Sequence, residues 1–251
     1  MNEGKYIYCI IDSNQVQSFG PLGIGGRGDV LYTVCFNDIA AVVSNSPIKK
    51  YAISSENAFA HEKAIEEVMK TRTVLPVRFA TIAEDEEKIR KILAREYDKL
   101  KELFNKVRDK KELGLKAIFR EDMIYKEILE RYEKIKKLKQ EIVSVPPAKS
   151  YYQRMEIGNL VEQALNEEKE KYKKAMLDAL SPLAENVKIN DTYGERMIIN
   201  AAFLVVKNKE AEFDRNIQQL DEKYGDKIKF KYVGTLPPFN FVSITIETKE
   251  Y

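Results

Sequence analysis

From Glu121 to Leu180 the chain follows a helical hydrophobic period, divided into two helices by the adjacent prolines Pro146 and Pro147. Ile124, Ile128, Ile135, Leu138 and Ile142 recur at spacings of ~3.5 residues or its multiples, with Lys and Glu between them. Proline lacks the backbone N–H that a helix interior needs, so the run must stop there. A second long helix is predicted over Tyr152–Leu180, with Ile157, Leu160, Ala164, Tyr172, Ala175 and Ala179 as its stripe, interrupted at Glu167–Lys171. Two long amphipathic helices joined by a short loop form an antiparallel pair. Any fold for this chain has to let that pair leave a core and return to it.

The flanking sequence supplies the core. Lys5–Ile11, Val30–Phe36 and Ile39–Ser44 are β-branched or aromatic runs and predict strands, the last two as a hairpin about Asn37-Asp38. Ser54 or Ser55 caps a helix reaching Arg72. Val74–Ala80 predicts a strand, whose Pro76 places it at an edge or lies near the strand start. Thr81 and Glu84 fit a capping box for a helix running to Arg108. Strands are then predicted at Leu113–Phe119, Asn186–Thr192, Met197–Val206, Ile228–Val233 and Phe239–Thr248, with a helix over Lys209–Tyr224. From Leu113 onward the order is β, helical excursion, β, β, α, β, which is the ferredoxin-like order. The fold class is therefore α+β with two domains, the second a modified ferredoxin-like fold with a long helical extension. Residues 1–109 form the first domain and 110–251 the second, with the extension at about 121–180. The boundary falls in the charged run Arg108–Glu112.

Charge and chemistry narrow the function. Lys and Arg number 42 against 40 Asp and Glu, a net charge of +2, so no global field draws the chain to nucleic acid or to an anionic membrane. The amino-terminal segment has no sustained apolar stretch of the secretory kind, and no apolar run reaches the ~20 residues of a membrane span. A cytoplasmic location is predicted, with Cys9 and Cys35 as reduced thiols. Gly20–Gly28 is glycine-rich, but Asp29 and a strand follow it where a phosphate loop needs Lys, Ser or Thr and a helix. A flexible inter-strand loop is the reading. His61 is the single histidine, which leaves no set for a zinc site and places any triad on one residue. It lies on the apolar stripe of its helix and reads as structural. Arg78 reads as structural too, through an ion pair with Glu56 or Glu62. The RNA-recognition signature is absent from the strands. No catalytic residue, cofactor or metal ligand is predicted.

Several strings together resemble the gas vesicle GvpF/GvpL family: ENAFAHE at 56–62, VLPVRFAT at 74–81, ELGLK at 112–116, RMEIG at 154–158 and YVGTLPPFNFV at 232–242. Ala80 stands where the family often has glycine, and Leu236 where it often has tryptophan. The resemblance implies two α+β domains, the second a modified ferredoxin fold. It also implies a role in forming gas vesicles, as a non-catalytic accessory or assembly protein. The implied partners are the hydrophobic wall subunit GvpA and other vesicle accessory proteins, with no nucleic acid and no membrane. The implied location is the gas vesicle and the cytoplasm. A ligand-sensing or RNA-binding α+β regulator is the alternative.

The helical excursion is the predicted contact region. Near Pro146 the hairpin has a single layer of helix, so its apolar side chains are covered on one side at most. Leu138, Ile142 and Val145, with Tyr151, Tyr152 and Met155 opposite, are predicted to leave an apolar tip, and such clusters mark partner sites.

Overall fold

The computed structural model describes residues 2–242 and 244. Contacts divide the chain into Met1–Glu112 with Thr235–Tyr251, and Leu113–Gly234.

The first unit is built on a six-stranded sheet. Its strands are β1 (Glu3–Ile11), β2 (Ser18–Gly20), β3 (Leu31–Phe36), β4 (Ile39–Pro47), β5 (Val74–Pro76) and β6 (Ile82–Ala83). The order is β2-β3-β4-β1-β5, with β6 also on β1. Strand β1 is buried on both faces, which is why it reads as an unbroken apolar run rather than an alternation. Helix α1 (Ser55–Met69) covers one face with Ala64, Ile65 and Val68. Helices α2 (Glu86–Arg95) and α3 (Tyr97–Val107) bring Ile89, Leu93, Leu100 and Phe104 to the other. The β1–β4 register shifts between Ile7 and Cys9. That bulge sends Tyr8 and Cys9, though adjacent, into the same apolar cluster as α1.

Several expected elements change here. Val74–Ala80 is a strand only as far as Pro76. Beyond it Val77 bridges Ile244 in parallel, and Ala80 takes a positive φ of 63°. Thr81 does not cap a helix: its hydroxyl donates to the Arg78 carbonyl at 2.6 Å. The cap is Asp85, whose carboxylate accepts from the Lys88 amide at 2.8 Å. The helix expected to reach Arg108 is two helices that meet at Glu96. The glycine-rich loop is pinned at its centre, because Ile24 is buried and its amide donates to the Tyr8 hydroxyl at 2.8 Å. Cys9 and Cys35 are free thiols, and burial raises the Cys9 pKa.

The expected division at residue 109 also needs correcting. Residues 110–112 and the end of the chain belong with the first unit. Val242 and Ile244 enter its core, and Asn240 donates from its backbone (2.9 Å) and its side chain (2.5 Å) to the buried Glu112 carboxylate. Phe239–Phe241 lie in a turn, and the remainder of the strand expected over Phe239–Thr248 falls outside the described residues apart from Val242 and Ile244.

The second unit has a four-stranded sheet of β7 (Lys110–Phe119), β8 (Ala184–Ile189), β9 (Met197–Val206) and β10 (Ile228–Leu236), in the order β10-β7-β9-β8. Between β7 and β8 run α4 (Glu121–Arg131), α5 (Glu133–Ile142) and α6 (Tyr151–Leu180), and α7 (Glu210–Tyr224) links β9 to β10. Phe119, Phe203 and Phe213 are fully buried, with Phe203 and Phe213 in edge contact at 5.1 Å between ring centres. Over its described residues the chain is thus a mixed α and β structure with two sheets.

Candidate functional site

The excursion is a hairpin in which α4 and α5 together run against α6. The first of these two arms breaks at Tyr132, where the backbone leaves the helical region (φ −98°, ψ 90°). At ~1.5 Å rise per residue, the 30 residues of α6 span about 45 Å.

The buried stripe of α6 is Ala164, Glu168, Tyr172, Met176 and Leu180, every fourth residue, with Leu165 beside it. Ala175 and Ala179, expected on the stripe, are only half-buried. The stripe includes Glu168, a charged residue at a core-facing position. Arg131 and Lys171 both pair with it, Lys171 at 3.2 Å. Burial opposes the charge of Glu168, but the hydrogen bonds from Arg131 and Lys171 outweigh it and hold the carboxyl below its ordinary range. Arg131 also holds Glu127 at 2.5 Å, and Lys227 reaches Glu127 at 2.9 Å. The base of the hairpin is therefore tied by ion pairs as well as by packing.

The tip differs. Val143 is 77% exposed, Tyr151 64%, Tyr152 78% and Met155 51%. Tyr151 and Tyr152 meet each other edge to face, with ring centres 5.6 Å apart. Leu138 and Val145 are half-buried, and Ile142 is buried at 8% exposure. The six residues expected at the tip thus divide. Ile142 closes the hairpin, Leu138 and Val145 border it, and Tyr151, Tyr152 and Met155 face outward.

Beside the tip a groove of about 430 Å³ opens where α4, α5 and α6 approach, with Leu129, Ile142, Ile157 and Val161 among its lining and Lys139 and Arg154 at its rim. Gly158 also lines it, and a Cβ added there would meet nothing within 4 Å. The sequence reading missed this groove. The available signal was a glycine inside a helix, away from any cap, where it costs about 1 kcal/mol relative to alanine.

The residues read as structural lie in the first unit. His61 is buried, and Tyr8 stacks on its ring at 5.7 Å. Its Nε2–H donates to the Val77 carbonyl at 3.2 Å, which leaves Nδ1 to accept from the Tyr6 hydroxyl at 3.1 Å. That hydroxyl in turn accepts from the Ala80 amide at 2.9 Å. This chain of bonds requires a neutral imidazole, and burial lowers the His61 pKa to about 4. The same layer holds Tyr8 on Ser44 at 2.9 Å and Tyr51 on Ser46 at 2.7 Å. Arg78 departs from expectation. Its side chain is exposed and, among the described residues, makes no ion pair with Glu56 or Glu62. Its backbone does the fixing, with the amide on the Ile244 carbonyl at 3.2 Å and the carbonyl on Thr81.

These contacts place the sequence strings in space. ENAFAHE meets VLPVRFAT through His61 and Val77. ELGLK meets the LPPFNF segment through Glu112 and Asn240. RMEIG supplies Arg154, Ile157 and Gly158 to the groove. Among the described residues no cluster of three or more His, Cys, Asp or Glu could hold a metal ion, and no helix is long and apolar enough to cross a membrane.

Comparison with known proteins agrees with this layout. The chain is 27% identical over 248 residues to gas vesicle protein F of Nostoc sp. (strain PCC 7120), covering 98% of this chain and 100% of that protein. The crystal structure of gas vesicle protein GvpF from Anabaena sp. PCC7120 superposes with a TM-score of 0.82 at 25% identity, over 97% of this chain and 100% of that one. The crystal structure of GvpF from Microcystis aeruginosa shares the fold, with a TM-score of 0.74 at 24% identity over 95% of this chain and 98% of that one. Residues 4–243 match the family described as gas vesicle synthesis protein GvpL/GvpF, and the chain belongs to that family.

Proposed function

We propose that this protein is a gas vesicle accessory protein that works by binding and performs no catalysis. Its partners in this reading are the hydrophobic wall subunit GvpA and other vesicle accessory proteins, which it meets in the cytoplasm and at the gas vesicle. The family supports the gas vesicle context. The observation that carries the binding reading is the tip, where Tyr151, Tyr152 and Met155 face outward beside Val143. A hydrophobic subunit made in water aggregates unless its apolar surface is covered, and an apolar tip on a charged arm can cover it reversibly. The second unit is read as a modified ferredoxin-like domain. Its sheet order, with β7 between β10 and β9 and β8 at the far edge, supports that reading, and the α4–α6 hairpin stands in for the first crossover helix.

The test is co-expression with GvpA and affinity retention. Changing Tyr151, Tyr152 and Met155 together to Ser should leave folding intact and reduce retained GvpA about tenfold, roughly 1.4 kcal/mol. Undiminished retention by the folded variant would reject the tip as the contact.

A further inference from the structure

We propose that the groove between α4–α5 and α6 is the seat of an acidic amphipathic helix presented by another protein. The proposal does not depend on what Tyr151, Tyr152 and Met155 touch, because none of the three lines the groove or the concavity beside it, which share only Ile142 and Val143 with the tip.

Shape is the first argument. The groove measures about 430 Å³. A second concavity of about 520 Å³ adjoins it, lined by α4 and α5, and Leu129 and Lys139 border both. Such volumes fall within the ~300–1,000 Å³ of working binding sites. Leu129, Ile157 and Val161 offer apolar walls, and Gly158 leaves the floor open. A strand laid there would bury backbone groups with no partners, whereas a helix satisfies its own. A flat bilayer cannot enter a concavity between helices.

Charge is the second argument. The two concavities carry Lys126, Lys136, Lys139 and Arg154 against Glu130. Among the described residues no carboxylate forms an ion pair with any of these four cations, and the Arg154 guanidinium donates to the Ser150 hydroxyl at 2.9 Å. The base of the same hairpin is by contrast neutralised, Arg131 by Glu127 and Glu168 and Lys171 by Glu168. The partner's acids would complete the unmatched set. A second copy of this chain is a poor source of the helix. The apolar stripes of α1, α2, α3 and α7 are already buried in their own units.

The experiment uses the full chain and a fluorescent peptide of about sixteen residues with Leu and Ile on one helical stripe and Glu elsewhere. Its twin carries Lys in place of Glu, and vesicles of phosphatidylcholine with phosphatidylserine form the third probe. The acidic peptide should bind, the basic twin at least about tenfold more weakly. Gly158→Trp, which fills open space, and the pair Lys139→Glu with Arg154→Glu should each weaken binding about tenfold with circular dichroism unchanged. The Ser variant at Tyr151, Tyr152 and Met155 should bind the peptide as the wild type does, even where it loses GvpA. Equal binding of both peptides, no effect of Gly158→Trp in the folded protein, binding to vesicles alone, or a self-associated dimer that Gly158→Trp dissolves would each overturn the proposal.

Discussion

Two aromatic clusters in this chain have opposite fates. In the first unit Tyr6, Tyr8 and Tyr51 are buried, and each hydroxyl has a partner, in His61, Ser44 and Ser46. At the hairpin tip Tyr151 and Tyr152 are exposed and meet each other. Burying a hydroxyl without a partner costs roughly 1–3 kcal/mol, so the first cluster is bound to its network and cannot be spared for recognition. The second has no such commitment. Residue type alone does not separate a structural tyrosine from a binding one. The number of satisfied partners does.

Acid sharpens the contrast most. Burial lowers the His61 pKa to about 4 in the folded chain, against an ordinary value of 6.5. Between those pH values the unfolded chain binds the proton more readily. The stabilisation is therefore complete above about pH 6.5, falls as pH is lowered, and is lost near pH 4, a change of about 3 kcal/mol. Hydrogen exchange against pH should show the first unit loosening over that range. In the hairpin, the Glu168 contribution declines only as pH falls below the ordinary glutamate value of 4.5. Loosening of both together near pH 6 would break the comparison.

The next test removes one atom. Tyr6→Phe strands the Ala80 amide and His61 Nδ1, and should cost about 2 kcal/mol in urea unfolding. The smallest effect belongs to the tip. Tyr152→Ser should change stability by less than about 0.5 kcal/mol, because the side chain satisfies nothing in the fold. A tip substitution as costly as Tyr6→Phe would show that the two clusters serve the same end.

Much of this was legible in the order of residues. The hairpin, its proline break, and strands β1, β3, β4 and β9 follow from period and composition, since each is decided by local pattern. The outward-facing half of the tip, Tyr151, Tyr152 and Met155, followed from the single layer of helix there. The stripe of α6 did not, because Glu168 looks like a break in the pattern until Arg131 arrives from another helix. The cap at Asp85 lost to Thr81 in the reading because a two-residue strand, β6, is too short to announce itself. The end of the chain was assigned to the nearer unit. Its place is marked by Glu112 and Asn240, a pairing across 128 residues that no local window contains.

That pairing has a consequence for how the protein is made. The first unit receives Val242 and Ile244 into its core only after Leu113–Gly234 has left the ribosome. At ~5–20 residues per second the delay is on the order of ten seconds. During that interval the first sheet stands with Val77 still awaiting its bridge to Ile244, while the segment between can already fold around β9. The unit begun first is completed after the second, so a chain cut short between Gly234 and Val242 would hold the whole of the second unit and a first unit lacking Val242 and Ile244.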